Sequence, residues 1–296
     1  MIKLLWVLIL FGYAMTTCIA NAETSTSHLK PGNKSPIHVS NKPSLPQVRS
    51  HIALIFDEQT QQPLLNKNGG MAAPIASITK LMTAMVVLDA KLPMDEVVSV
   101  AEDDSGTRKK ARSRLSTGMA FTRTELLKMA LMASENRAAS ALAKSYPGGT
   151  AAAVAAMNTK ARELGMQNTV FYDPTGLSRD NVSTAHDLVK MVAAARKYTL
   201  IQQYSTATTL SVDGLNGRAM RFSNTNPLVR SASWDIGVSK TGFISEAGLC
   251  LVMEAKINQR PVIIVLLNSW GKRTRIGDAN RIKKWMESAY AREHRT

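Results

Sequence analysis

Ser77 and Lys80 stand three residues apart in Ser77-Ile78-Thr79-Lys80. On a helix that spacing puts both side chains on one face, within reach of each other. A serine hydroxyl is a weak nucleophile until a base removes its proton. A lysine amine serves as that base only when burial or a nearby cation lowers its pKa. The local sequence supplies burial: after Pro74, Ile78, Leu81, Met82, Met85 and Val86 recur at helical spacing, and Lys80 is the only charged residue between Lys67 and Asp89. A helix so apolar all round belongs inside the protein. Its N-terminus would turn free N–H groups and the positive end of its dipole toward Ser77, where the oxyanion of a tetrahedral intermediate would develop.

Two further motifs complete this chemistry. Ser134-Glu135-Asn136 is the only Ser-x-Asn in the chain and Lys240-Thr241-Gly242 the only Lys-Thr-Gly. Ser134 is placed to relay a proton to a leaving amine, and the Asn136 amide to hold a peptide carbonyl. Lys240 and Thr241 would bind a carboxylate by charge and hydroxyl, and Lys240 is a candidate second cation acting on Lys80. Gly242 leaves room for a peptide lying along a strand edge. The order of the three motifs spells serine acyl transfer. A second Ser-x-x-Lys, Ser27-His28-Leu29-Lys30, lies in a stretch without hydrophobic period and carries no such meaning. Glu135 receives no role.

Other chemistries lack their residues. The histidines at 28, 38, 51, 186 and 294 are scattered, with no HExxH and no paired CxxC, so neither a catalytic metal nor another cofactor is expected. His186-Asp187 has no GxSxG elbow to join in a triad, and a helix start accounts for it.

The elements that must position these residues are readable in outline. Ile52 to Asp57 alternates and is followed across a polar connection by Leu64-Leu65, which predicts a β-hairpin. Helices are expected over 122–133, 137–145, 150–164 and 184–198, joined by turns such as Tyr146-Pro147-Gly148-Gly149 and Asp173-Pro174-Thr175-Gly176. Strands follow over 234–240, 248–256 and 261–267, with Asn258-Gln259 turning the last pair, and a helix over 274–291 closes the chain. Lys240-Thr241-Gly242 thus ends a strand. Strands at both ends around a helical middle predict an α+β fold in which the terminal segments share one sheet and a mainly helical subdomain, about 100–200, is inserted. The cleft lies between them.

The beginning of the chain reads as a secretory signal over 1–22, with Lys3, an apolar run from Leu4 to Tyr13 and the cleavage site Ala20-Asn21-Ala22. The run is too short to span a bilayer, so no permanent membrane anchor is expected. Residues 23–48, rich in Ser, Pro, Asn and Lys, predict a disordered tether before a domain over 49–296. Cleavage removes Cys18 and leaves Cys250 alone in an apolar run, a buried inert thiol without a disulfide partner. The net charge of +15 suits a polyanionic wall or membrane surface in the exported compartment. The run Arg108-Lys109-Lys110-Ala111-Arg112-Ser113-Arg114 has no interleaved aromatic to stack on bases, so nucleic acid is not the expected partner.

At Pro74–Ala84, Ala133–Ala139, Tyr146–Gly149, Asp173–Ser178 and Asn181–Ala185 the chain resembles the D-alanyl-D-alanine peptidase family of low-molecular-mass penicillin-binding proteins, over about residues 49–290. Its periplasmic endopeptidase branch is the most similar. The resemblance implies a β-lactamase/DD-peptidase-like fold with Ser77 as acyl-ester nucleophile, Lys80 as base and Ser134 as relay. It implies Asn136, Lys240 and Thr241 as substrate binders and the backbone N–H groups of Ser77 and Phe243 as the oxyanion hole. Glu135 departs from the Gly or Asp often found at that position. The implied substrates are peptidoglycan peptides, cleaved at D-alanyl-diaminopimelate crosslinks in the periplasm, and the implied covalent inhibitors are β-lactam antibiotics. Carboxypeptidase activity on terminal D-alanine and non-catalytic wall binding remain as alternatives. Two features favour the endopeptidase: the branch matched, and a chain end too near the last helix for an added β domain and amphipathic anchor. A class A β-lactamase is disfavoured by the absence of an ExxLN motif.

Overall fold

The computed structural model describes residues 44–101, 113–213 and 219–293. The signal over 1–22, the tether up to residue 43 and the basic run as far as Arg112 lie outside the described residues. Residues 44–48 carry no helix or strand.

The hairpin forms as expected from β1 (Ile52–Asp57) and β2 (Gln62–Lys67). Next come β3 (Ala73–Pro74), a 3-10 turn (Ala76–Thr79) and α1 (Lys80–Asp89). The middle of the chain holds β4 (Val97–Ser99), β5 (Ala120–Thr122), α2 (Arg123–Met132), α3 (Asn136–Lys144) and α4 (Gly149–Glu163). It continues through β6 (Val182–Ser183), α5 (Ala185–Ala195) and α6 (Thr199–Thr206). A second hairpin, β7 (Thr209–Asp213) and β8 (Ala219–Ser223), leads to β9 (Asp235–Ile244), β10 (Gly248–Ile257), β11 (Arg260–Ser269) and α7 (Thr274–Glu293).

The two ends of the chain build one five-stranded sheet in the order β2-β1-β11-β10-β9, antiparallel throughout. The period of two along each strand divides its side chains between two cores. Ala53, Ile55, Leu251, Met253, Ile264 and Leu266 meet Ala279, Ile282 and Met286 of α7 on one face. Ile52, Leu54, Val252, Ile263 and Val265 join α1, α2 and α5 in the larger core on the other. Asp278 of α7 ties the chain ends together by accepting from the Arg49 N–H at 2.9 Å, the Ser50 N–H at 2.7 Å and the Ser50 hydroxyl at 2.5 Å. The α+β expectation holds, with helices between the strand-forming ends.

Several local readings change. Ser77 lies in the 3-10 turn that leads into α1, not in the α-helix itself. β9 does not stop at the Lys-Thr-Gly motif but runs on to Ile244, because Gly242, Phe243 and Ile244 pair with Cys250, Leu249 and Gly248 of β10. The hairpin β7–β8 and helix α6 have no counterpart in the sequence reading. Only Val212 and Phe222 of the hairpin are buried, and α6 buries only Ile201 and Ser205, too few positions to register as periodicity. Asn258 and Gln259 do form the last turn, with φ of +50° and +61°.

Two glycines let the strand and a loop close on the turn that carries Ser77. A Cβ on Gly242 would lie 3.0 Å from the Ile75 carbonyl oxygen and 3.1 Å from the Ser77 nitrogen. A Cβ on Gly176, whose φ is +81°, would lie 2.0 Å from the Ala76 carbonyl oxygen. The absent side chain of Gly242 thus makes room for protein backbone, a requirement that the sequence did not show. Gly176→Ala combines a left-handed backbone with a collision against main chain, and should cost about 3 kcal/mol or more. Thermal unfolding should show a Tm lower by about 6–12 °C; an unchanged Tm would contradict the packing described.

Candidate active site

Each motif reaches the site on a different element. Ser77 and Lys80 come from the turn and first residue of α1, Ser134 from the α2–α3 connection and Asn136 from the first residue of α3, and Lys240 and Thr241 from β9, the edge strand of the sheet. Lys80 and Lys240 are both 1% exposed. Lys80 Nζ is 2.9 Å from Ser77 Oγ and donates to Asn136 Oδ1 at 2.7 Å and to the Thr175 carbonyl at 2.6 Å. Lys240 Nζ donates to Ser134 Oγ at 2.8 Å and to the Thr241 carbonyl at 2.9 Å. Thr241 Oγ1 donates to Thr225 Oγ1 at 2.6 Å. Sequence reasoning thus named residues that do meet in space.

The contacts of Lys80 decide what its amine can do. Asn136 Oδ1 and the Thr175 carbonyl accept hydrogen bonds and cannot donate, so they retain two N–H groups whatever the charge state. When the third proton leaves, the lone pair faces Ser77 Oγ, oriented to receive the hydroxyl hydrogen. Burial brings that state within reach by lowering the Lys80 pKa from 10.5 to about 7, against the opposing charges of Asp173 and Glu135. Lys240 is pushed well below its ordinary value by burial first, then by the positive charges of Lys80 and Arg275. Burial, expected from the apolar helix, is the cause that lowers Lys80, and the repulsion between the two lysines acts on Lys240.

Residues that sequence reasoning left without a role hold these groups in place. Glu135 is the N-cap of α3, accepting from the Arg137 N–H at 3.3 Å, and it also accepts from the Ser113 hydroxyl. This cap leaves the Ser134 and Asn136 side chains free for the cleft. Ser134 itself has φ of +60°, a strained backbone for a residue with a Cβ. Asp173 accepts from the N–H groups of Thr175, Gly176 and Ser178 at 2.5, 2.8 and 2.8 Å, which aims the Thr175 carbonyl at Lys80. Asn181, fully buried, braces that loop to Asp173 O at 2.8 Å and to Thr79 Oγ1 at 3.0 Å. The turn signal at Asp173-Pro174-Thr175-Gly176 was visible in sequence; its docking beside Lys80 was not.

Arg275, in the first turn of α7, places its charge on the Lys240 side, and its Nε and Nη1 are buried with no hydrogen-bond partner among the described residues. Nothing in the local sequence distinguishes it from the other basic residues around it. Gly242 packs on the Ser77 nitrogen, and the side chain of the next residue, Phe243, is 62% exposed. Cys250 is buried, and burial raises its thiol to about 11, as expected of an inert cysteine. His186 begins α5 and contacts Asn66 Nδ2 at 3.2 Å, apart from the three motifs. Among the described residues no group of three or more His, Cys, Asp or Glu is arranged to hold a metal ion.

The depressed Lys80 pKa is also a statement about stability. The unfolded chain keeps the proton up to 10.5 while the folded chain sheds it at about 7, so the unfolded state binds more protons across that window. Stability therefore rises with pH there. Urea unfolding of the wild type, referenced to Lys80→Met, should show a gain approaching about 1.4 kcal/mol per pH unit between those values; a flat difference would contradict a buried amine with lowered pKa.

The D-alanyl-D-alanine carboxypeptidase family, peptidase family S11, matches residues 39–271. The chain is 46% identical over 255 residues to a D-alanyl-D-alanine endopeptidase of Pseudomonas aeruginosa, covering 86% of this chain and 82% of that one. It is 46% identical over 246 residues to a D-alanyl-D-alanine endopeptidase of Escherichia coli, covering 83% and 79%. Penicillin-binding protein D2 of Listeria monocytogenes, solved in its ampicillin-bound form, superposes with a TM-score of 0.71 at 27% identity, over 82% of this chain and 99% of that one. The chain belongs to the S11 family of serine D-alanyl-D-alanine peptidases.

Proposed function

We propose that this protein is a serine DD-endopeptidase that hydrolyses D-alanyl-diaminopimelate crosslinks of peptidoglycan through an acyl-enzyme. The observation that carries the reading is the 2.9 Å contact between Ser77 Oγ and a Lys80 amine whose other two partners are acceptor-only oxygens. Ser77 attacks the D-alanyl carbonyl and its proton passes to Lys80. The Ser77 and Phe243 N–H groups receive the oxyanion. Ser134, bonded to Lys240, hands its proton to the leaving amine and is resupplied by the proton that Lys80 took from Ser77, which leaves Lys80 neutral again. Water then attacks the acyl carbonyl, Lys80 accepts its proton, and that proton passes to Ser77 Oγ as the acyl bond breaks.

Binding follows from the groups left free. Asn136 uses Oδ1 on Lys80, so Nδ2 remains to donate to a substrate carbonyl. Lys240 and Thr241, with the positive charge of Arg275 on the Lys240 side, form a seat for the carboxylate beside the leaving amine, and an incoming carboxylate opposes the lowering of the Lys240 pKa by burial. A β-lactam presents a carboxylate and a strained amide to the same groups and acylates Ser77. Export by residues 1–22 and action in the periplasm complete the reading, with 23–48 as a tether to the catalytic domain.

Endopeptidase is favoured by the similarity to two relatives of that name. The family description favours carboxypeptidase as the second reading, since both reactions cleave between D-centres next to a carboxylate. Purified protein incubated with crosslinked muropeptides should consume dimers; persistent dimers with release of terminal D-alanine would establish the carboxypeptidase instead. Labelled penicillin should modify the wild type at a rate that rises with pH through about 7, where Lys80 sheds its proton, and should not modify Ser77→Ala. Labelling that survives that substitution would remove Ser77 from the mechanism. Arg275→Leu should lower kcat/KM about tenfold or more on substrates carrying the leaving-side carboxylate, and by little on their amidated counterparts; equal effects on both would deny the seat.

A further inference from the structure

One group of arginines beside the cleft is left without carboxylate partners. Arg114 donates from Nη1 to the Arg221 carbonyl at 2.5 Å, and its guanidinium carbon lies 3.8 Å from the centroid of the Phe222 ring. Arg137 donates from Nη1 to the Leu115 carbonyl at 2.5 Å. Arg230 donates from Nη1 to the Asn224 carbonyl at 3.1 Å. Arg114, Arg221 and Arg230 are exposed and Arg137 is half-buried. Elsewhere Arg123, Arg196, Arg260 and Arg281 each meet a carboxylate, whereas Arg114, Arg137, Arg221 and Arg230 enter no ion pair among the described residues. The nearby acid, Glu135, is buried and already engaged by Ser113 and the Arg137 N–H.

The backbone that orients these groups is continuous with the site. Arg137 follows Asn136, the partner of Lys80. Thr225, next to the Asn224 held by Arg230, donates its N–H to Met132 O at 3.1 Å and its hydroxyl accepts from Thr241 at 2.6 Å. The guanidinium groups of Arg114, Arg137 and Arg230 therefore flank the Ser134 side of the cleft, and Arg221 is exposed on the same strand as Phe222. A guanidinium has five donors, so one bond to a carbonyl fixes its direction and leaves other edges free for a carboxylate.

We infer that Arg114, Arg137, Arg221 and Arg230 form a docking shelf for free stem-peptide carboxylates of the wall polymer, outside the peptide being cut. The choice of polymer rests on the function proposed above. A single exposed ion pair contributes little. Peptidoglycan presents carboxylates on stem after stem, however, so several weak contacts act together and hold the cleft near the next crosslink. The shelf makes attack on intact wall salt-dependent while leaving the reacting groups untouched.

The test compares wild type with the Arg114→Gln/Arg221→Gln/Arg230→Gln variant in co-sedimentation with purified sacculi across a salt series, alongside penicillin labelling. The variant should bind sacculi about tenfold more weakly at low salt, with a flattened salt dependence, and should label with penicillin at the wild-type rate. Arg221→Glu, which alters an exposed side chain, should weaken binding by itself. Wild-type sacculus binding by both variants at every salt concentration would overturn the shelf. Loss of binding to anionic phospholipid vesicles with sacculus binding intact would overturn it too, by making the partner a membrane. A wild type that neither labels nor cleaves dimers would defeat the proposed function, yet the sedimentation comparison would still decide the shelf.

Discussion

A lysine amine sealed in an apolar core is the constraint around which this protein is arranged. An ammonium ion in that position requires every N–H to find an oxygen, and Lys80 finds them on Ser77, Asn136 and Thr175, three chain segments far apart in sequence. Burial that makes the charged form expensive also makes the neutral form attainable. The cost of desolvation and the capacity to accept a proton are thus one physical fact. Holding the oxygens in place then falls to residues with no chemistry of their own: Glu135 capping α3, Asp173 gathering the N–H groups of its loop, and Asn181 tying that loop to Thr79.

Close backbone approach is the second requirement. The turn bearing Ser77 is squeezed between Gly242 on the sheet edge and Gly176 on the loop, each so near that a methyl group would meet main chain. This contact joins the chain-end sheet to the elements of the middle and fixes Ser77 with respect to both. An edge strand is needed on the sheet side, because only an edge leaves main-chain groups available to an extended peptide. The continuation of β9 to Ile244 extends that edge past the motif.

Charge is graded from the inside outward. Lys80 and Lys240 lie in the interior, and Arg275 adds its field on the Lys240 side, with two nitrogens unpartnered among the described residues. The four arginines along the Ser134 side extend the same sign to the surface. Two acids near Lys80, Asp173 and Glu135, oppose its deprotonation and are spent on backbone N–H groups. They keep the depression of its pKa moderate, so the amine titrates near neutrality.

By itself the sequence determined which side chains carry the chemistry and much of the α+β frame. Ser77 and Lys80 are joined by helical spacing, a lone charge in an apolar helix announces burial, and strands whose alternate residues are apolar announce a sheet. These signals are local and periodic, hence legible along a chain. Tertiary structure alone decided what depends on meetings between remote segments. Gly242 makes room for the Ser77 turn; Glu135 caps α3; Thr175 gives Lys80 a carbonyl that has no side-chain signature; Arg275 and the arginines near Thr225 become a field only once folded. The hairpin β7–β8 and helix α6 stayed hidden for the related reason that they bury too few residues to impose a period. Periodicity reports the surface that one element buries, whereas a site is made of contacts between elements, and those exist only after the chain has closed.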